Sequence, residues 1–358
     1  MSTRCAIVGA TGIAGQQFLS ALVGHPFIEV ARLAASARSA GRPLREALRR
    51  PDGQLAWYVE PDHLAPYAEL EVHDAAEMPL EGIDVVFSAV ETGAALALEQ
   101  RFAAHVPVVS TASAHRYDAD VPLVIPAVNG DHAGLLAEQR TNRGWRGYVV
   151  PIPNCTTTGL AIALAPLHRT FGVQRVVVTS LQAVSGAGRS PGVGGLDIID
   201  NVVPFIPKEE EKVERETQKL LGSFAEDGIT PARFPVSATC TRVPVLDGHT
   251  EAVTVALDGA PPLEDVADAM RSFGRDINPG THPSAPRQWI TVHEDPFRPQ
   301  PRIDRDADGG MTTSVGRLRP ESVLGDGVRF VLVSHNTKMG AAKGALLVAE
   351  DLKVRGWL

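Results

Sequence analysis

Apolar residues follow two rhythms along the chain. Arg4 to Val8 (RCAIV) is a short β-rich run, and beyond GATGIAG the segment QQFLSALVG sets Phe18, Leu19 and Leu22 at helical spacing. Strand, loop and helix are predicted in that order. Further apolar runs at Ile28 to Ala34, Ile83 to Val90 and Val106 to Thr111 predict strands, and GAALALEQRFAAH between the last two keeps its apolar residues on one helical face. Strands alternating with helices predict an α/β domain with a doubly wound, Rossmann-type parallel sheet.

From about Tyr148 the texture changes. YVVPIP leads into Cys155, after which VQRVVVTSLQAV, SATCTRVPVL, TEAVTVAL and GMTTSVGRL read as strands. Two helical segments interrupt them, EEEKVERETQKLL near Glu209 and LEDVADAMRSF near Leu263. This predicts an α+β second domain with a largely antiparallel or mixed sheet. After VRFVLVSHN, GAAKGALLVAEDLKVRGWL predicts an apolar-faced helix that packs back onto the first domain. The expected division is residues 1–150, completed by 336–358, and residues 151–335. The Pro-rich patches from Pro279 to Pro301 read as surface loops.

Composition narrows the function classes. With 44% hydrophobic and 21% charged residues among 358, disorder, collagen and coiled coil are excluded. A formal net charge of −8 gives no electrostatic reason to expect nucleic acid as a partner. Cys5, Cys155 and Cys240 are odd in number and lack CxxC spacing, so neither a disulfide framework nor a metal site is expected. The N-terminal apolar run is too short for a signal-peptide core, and no stretch of 18 apolar residues occurs. A cytoplasmic protein, neither exported nor embedded, is expected.

Gly9, Gly12 and Gly15 lie between a strand and a helix, where small residues let backbone N–H groups approach a pyrophosphate. The spacing is GxxGxxG, compatible with a dinucleotide site or with a glycine turn that binds nothing. The expected cofactor contacts in this domain include Gly9, Thr11, Gly12, Ile13, Ala14, Gly15, Val90 and Ser113. No carboxylate closes the second strand to take a ribose 2′-hydroxyl; Ser36 and Arg38 stand there instead. That favours NADP, with Arg38 on the 2′-phosphate, over a solvated loop arginine.

Cys155, in PNCTTTGL, opens a helix-like segment whose N-terminus stabilises a thiolate, which makes it the nucleophile candidate. Cys5 and Cys240 fall inside strands and read as small core residues. Acyl chemistry also needs a proton carrier. His249 follows a glycine turn between two strands, as a residue pointing into a cleft or as a solvated turn histidine.

Together, GATGIAG, DVPLVIPAVN, PNCTTTGL, SLQAVSGAG, the EEEK segment and RVPVLDGHTEAV resemble the aspartate-β-semialdehyde dehydrogenases, in their archaeal and fungal branch. The resemblance runs from the first glycine loop to SHNTKMGAAKGA. It implies reversible, NADP-dependent interconversion of L-aspartate 4-semialdehyde plus phosphate with 4-phospho-L-aspartate, through a Cys155 thioester. The pathway implied is biosynthesis of lysine, threonine, methionine and isoleucine. By the same resemblance His249 is base and acid, Gln182 orients the substrate, and Asn154 serves an oxyanion or the helix start. Arg242 takes the substrate α-carboxylate and Glu209 its ammonium, Glu210 being the alternative, while Lys212 and Arg116 contact phosphate. Ser185, Gly186 and Asn336 close around the nicotinamide, and a homodimer or homotetramer is implied. The bland readings are a solvated helix face for the EEEK run and a sheet amide for Gln182. Thr111 and Thr241 stand where the family often has Asn.

The competing expectations share parts of this set. A malonyl-CoA reductase would use the same cysteine but has no need of Glu209. A silent dinucleotide-binding paralogue would be expected to have lost Cys155 or His249, and a cysteine hydrolase would leave the glycine loop idle.

Overall fold

The computed structural model describes residues 2–188, 192–226 and 228–358. Two compact units emerge. The first comprises Met1–Leu123, Ala133–Ile152 and Ala341–Leu358; the second, Val124–His132 and Pro153–Gly340.

The strands of the first unit are β1 (Thr3–Val8), β2 (Ile28–Ala35), β3 (Arg42–Pro43), β4 (Glu71–Asp74), β5 (Val85–Ser88), β6 (Val108–Ser110) and β7 (Val149–Pro151). They form one sheet in the order β3-β4-β2-β1-β5-β6-β7. Every pairing is parallel except β3 with β4. From β1 the chain builds outward through β2 and β4, then returns to build through β5, β6 and β7. The order therefore reverses between β1 and β5, and ligands of such sheets bind beyond the strand ends at that point. Cys5, Ile7 and Val8 are wholly buried there, as both-face burial of a central parallel strand requires.

Helix Ile13–Leu22 lies on β1 and β2 and buries Phe18, Leu19 and Leu22. The C-terminal helix Ala342–Val354 packs on it. Glu350, wholly buried, meets His25 Nε2 at 2.9 Å, and Lys353 Nζ donates to Thr3 Oγ1 at 2.8 Å. Beyond the helix, the chain is held by Tyr148, whose hydroxyl donates to Trp357 O at 3.0 Å.

The second unit carries β8 (Val173–Gln182), the small hairpin β9 (Ser223–Ala225) and β10 (Gly228–Thr230), β11 (Val236–Arg242), β12 (His249–Leu257), β13 (Ile290–Val292), β14 (Thr313–Glu321) and β15 (Gly327–Ser334). Six of them form a mixed sheet in the order β11-β8-β12-β15-β14-β13, parallel at its two outer pairs and antiparallel between. Helix Cys155–Phe171 covers β8, β12, β14 and β15 on one face, and helix Glu209–Leu220 packs on β11. Strand alternation sends Val176, Val178, Ser180 and Gln182 inward, leaving Val177 and Leu181 on the opposite face, 42% and 37% exposed.

The stretch from Pro279 to Pro301 is not all surface loop. Ile290–Val292 is an edge strand paired with β14, and Trp289 before it is buried, its indole N–H donating to Ile277 O at 2.9 Å. Prolines flank this strand without entering it, which an edge position tolerates. Among the described residues, no helix is long and apolar enough to cross a membrane.

Gly15 sets the contact between glycine loop and helix. A Cβ there would lie 2.2 Å from Gly9 O and 2.7 Å from Ala10 Cα, both backbone atoms that cannot swing away. Gly15→Ala is therefore expected to cost about 1–3 kcal/mol through overpacking, and thermal unfolding should show a lowered midpoint; an unchanged midpoint would contradict the close approach.

Candidate active site

Gly9 has φ +87°, and a Cβ there would lie 2.4 Å from Ala89 O, so only glycine passes between the ends of β1 and β5. Its N–H and that of Ala10 both donate to Ala34 O, at 2.8 and 3.0 Å, tying the loop to β2. Helix Ile13–Leu22 begins at Gly12 with no side-chain cap, a helix start suited to an anion. Thr11, Ile13 and Ala14 are half-buried around it. Val90 follows β5 with Cγ1 3.4 Å from the position of a Gly9 Cβ. Ser36 and Arg38 are exposed beyond the end of β2. Ser113 Oγ lies 3.0 Å from Thr92 Oγ1, and buried Arg116 donates through Nη2 to Thr111 O at 3.1 Å. Gln16, which the sequence reading missed, is wholly buried and donates to Thr11 O and Ala56 O at 3.2 and 2.8 Å.

In the second unit, half-buried Cys155 is the first residue of the helix Cys155–Phe171. Asn154 caps it: its Oδ1 accepts from the N–H groups of Thr156 and Thr157 at 2.9 and 3.2 Å. Its Nδ2 donates to Glu209 Oε1 at 2.8 Å, and its backbone N–H donates to Glu216 Oε2 at 2.6 Å. Asn154 thus holds the start of the helix, and its amide is occupied at both ends. Glu209 Oε2 also meets Lys212 Nζ at 3.2 Å. Glu210 turns elsewhere, accepting from the N–H of Cys240 at 3.0 Å, so it is Glu209 that the fold brings to Asn154. Glu216 escaped the sequence reading, although its place seven residues after Glu209 marks the same helix face.

His249 is wholly buried at the start of β12, with Nε2 3.2 Å from Cys155 Sγ. The N–H of Ala183 donates to its Nδ1 at 3.0 Å. A nitrogen that accepts cannot carry the proton, so the neutral ring bears it on Nε2, facing the sulfur. Burial above all, then the charges of Arg242 and His335, depresses the imidazole to about 3. Arg242 ends β11, and its Nη1 donates to Ala183 O at 2.9 Å; Gln182 Oε1 is 3.5 Å away. Gly186 leaves room for both groups, since a Cβ would come within 2.9 Å of Arg242 Nη1 and 3.1 Å of His249 Cε1. Asn336 is engaged at both ends too, accepting from the N–H of Gly248 and donating to Ser185 Oγ, each at 2.8 Å. It ties the glycine turn before His249 to the Ser185 turn.

The other thiols are inert by environment. Burial raises Cys5 far above its ordinary value and pushes Cys240 up to about 12. Glu251, two residues beyond His249, is wholly buried with neither carboxyl oxygen bonded, and burial holds it well above the usual carboxylate range. Thr241 donates its hydroxyl to Ser180 O at 2.8 Å, and Thr111 its own to Ser88 O at 3.2 Å.

Comparison with known proteins identifies the family of both units. Residues 4–135 match a family model described as the NAD binding domain of semialdehyde dehydrogenase, and residues 164–339 match its dimerisation domain. An aspartate-semialdehyde dehydrogenase of Methanothermobacter thermautotrophicus is 45% identical over 345 residues, covering 96% of this chain and 97% of the relative. The Candida albicans enzyme is 41% identical, covering 98% of each chain. Among solved structures, a Candida albicans aspartate-semialdehyde dehydrogenase with NADP superposes with TM-score 0.86 at 37% identity, covering 100% of both chains.

The buried imidazole makes the fold acid-sensitive. His249 takes a proton near pH 6.5 when unfolded but only near 3 when folded, so its stabilising effect is complete above 6.5 and declines as pH falls towards 3. Between those limits the loss is about 1.4 kcal/mol per pH unit. The unfolding midpoint should fall from about pH 7.5 to about pH 5.5, and His249→Asn should flatten that dependence; an identical slope in the variant would contradict a neutral buried ring.

Proposed function

This chain belongs to the aspartate-semialdehyde dehydrogenase family, and on that premise we propose that it interconverts L-aspartate 4-semialdehyde and 4-phospho-L-aspartate with NADP. The observation that carries the reading is the helix-start thiol 3.2 Å from a buried imidazole, set among Arg242, Glu209 and Gln182 in one unit.

In the oxidative direction the Cys155 sulfur bonds to the aldehyde carbon, and the carbonyl oxygen takes the negative charge. That carbon then loses a hydride and becomes a thioester carbonyl. An oxygen of hydrogenphosphate bonds to it, the carbon–sulfur bond breaks to restore the thiolate, and the proton of the phosphate passes to solvent as the acyl phosphate leaves. Bound NADP would supply the hydride acceptor for this step, and bound NADPH the donor in the biosynthetic direction. His249 serves the reacting oxygen by pointing Nε2–H at it, a dry donor strongest where charge develops. The Arg242 guanidinium takes the substrate α-carboxylate and the Glu209 carboxylate its ammonium, with Gln182 orienting the chain between them. Lys212, beside Glu209, is the phosphate contact we assign in this unit.

The residues present fit the cofactor. Gly9 and the uncapped helix start at Gly12 leave a cradle that a Cβ would fill, suited to a pyrophosphate. Ser36 and Arg38 beyond β2, in place of a carboxylate, suit a 2′-phosphate, and Ser185, Gly186 and Asn336 are assigned to the nicotinamide side. Val177 and Leu181 on the uncovered sheet face support assembly through the second unit. Three free cysteines suit a reducing cytoplasm, where biosynthetic chemistry of this kind belongs.

The test is cofactor reduction followed by absorbance. Turnover should occur with aspartate semialdehyde, should require phosphate, should prefer NADP+ to NAD+, and should fail with succinate semialdehyde, which lacks the ammonium that Glu209 binds. Equal turnover of both aldehydes, or turnover indifferent to phosphate, would reject the assignment.

A further inference from the structure

His249 is the first residue of β12, so the strand ladder holds its backbone from one side only. Ahead of it stands Gly248 at φ +90°, the residue type with the most freedom to lose. An acid–base group acts only within hydrogen-bond reach of its proton, and a misplacement of about 1 Å can cost about a hundredfold in rate. The turn before the imidazole therefore needs an anchor of its own.

Two side chains supply it, one at each end of a single peptide bond. Asp247 O accepts from Arg305 Nη1 at 3.1 Å, and the N–H of Gly248, on the same rigid plane, donates to Asn336 Oδ1 at 2.8 Å. Arg305 also fills the place of a side chain at Gly248, since a Cβ there would lie 2.9 Å from Arg305 Cβ and 3.4 Å from its Cδ. The donor is itself braced. Arg305 follows the short helix Pro301–Asp304, in which buried Asp304 accepts from the Gln300 N–H at 2.6 Å and from Arg298 Nε at 2.9 Å.

The two anchors are also joined behind the turn. Arg305 Nε lies 3.5 Å from Asp306 Oδ2, and Asp306 Oδ1 accepts at 2.8 Å from the Nζ of Lys338, two residues beyond Asn336. The segment carrying Asn336 returns to the thiol, because a Cβ on Gly340 would lie 2.8 Å from Cys155 Cβ. The contacts that place the imidazole and those that meet the nucleophile thus form one connected set.

We propose that Arg305 is a positioning residue for His249: with Asn336 it clamps the Asp247–Gly248 peptide and so keeps Nε2 3.2 Å from Cys155 Sγ. Arg305 acts through the backbone, not on the reacting atoms. A guanidinium suits the task because its planar fork serves the carbonyl and Asp306 at once.

This rests on the reading of His249 as the proton carrier of the assigned reaction, so the test has an arm that needs no turnover. Protein labelled with nitrogen-15 histidine is compared as wild type, Arg305→Met, Arg305→Gln, Arg305→Lys and, as a control at an exposed neighbour, Arg302→Met. The His249 ring resonances are identified by their loss in His249→Asn, and circular dichroism checks the fold of each variant. Arg305→Met keeps the methylenes packed on Gly248 and removes the donors. It should shift both His249 ring nitrogen resonances and lower kcat by about tenfold to a hundredfold, with KM for aldehyde and NADP+ within about twofold of wild type. Arg305→Gln, too short to reach Asp247 O, should repeat this result, so that a folding defect in one variant leaves the other to decide. Arg305→Lys should recover part of both effects, and Arg302→Met should show neither. Unmoved His249 resonances in Arg305→Met and Arg305→Gln, or a loss of kcat that Arg305→Lys does not lessen, overturn the proposal. Shifted resonances in a protein whose wild type shows no turnover would instead fault the assigned reaction and leave the clamp in place.

Discussion

A helix that begins with a cysteine leaves its first N–H groups in need of an acceptor, and in this chain the acceptor is the Asn154 carboxamide. The other end of the same amide donates to Glu209, and the backbone N–H of the same residue donates to Glu216. One residue therefore joins the helix that presents the thiol to the helix that presents the carboxylates. Loosening it would move nucleophile and substrate clamp together, which is why its buried bonds matter more than the roughly 1 kcal/mol of an ordinary cap.

Other bridging contacts lie in the same unit. Asn336 spans Gly248 and Ser185, and Ala183 spans His249 and Arg242. Such a network has little freedom to reorganise when charge appears on a substrate oxygen, and fixed donors in a dry site are the form of stabilisation worth most. The first unit relies on close backbone approach, since a Cβ at Gly9 would meet Ala89 O and one at Gly15 would meet Gly9 O.

Much of this was legible in the order of residues. The glycine loop, the alternation of strand and helix, the thiol at a helix start and the histidine after a glycine turn each have a local signature. Glu209 and Glu210 could not be separated by sequence because adjacent helical residues differ by about 100° in direction, so the answer depends on where the helix begins; it begins at Glu209, after Lys208 at φ +61°. The Ala183 contact had no signature, because any non-proline residue supplies an N–H. The edge strand Ile290–Val292 was hidden by the prolines that flank it, and only the buried Trp289 hints at its packing.

The central claim is that a single thiol, Cys155, carries the acyl group. Its most direct test is one turnover without phosphate: protein mixed with NADP+ and aspartate semialdehyde, quenched in acid and read by peptide mass spectrometry. The account predicts a burst of one NADPH per site and an aspartyl thioester on the Cys155 peptide alone, removed when phosphate is added before the quench. A burst with no adduct, or an adduct on Cys5 or Cys240, would contradict it.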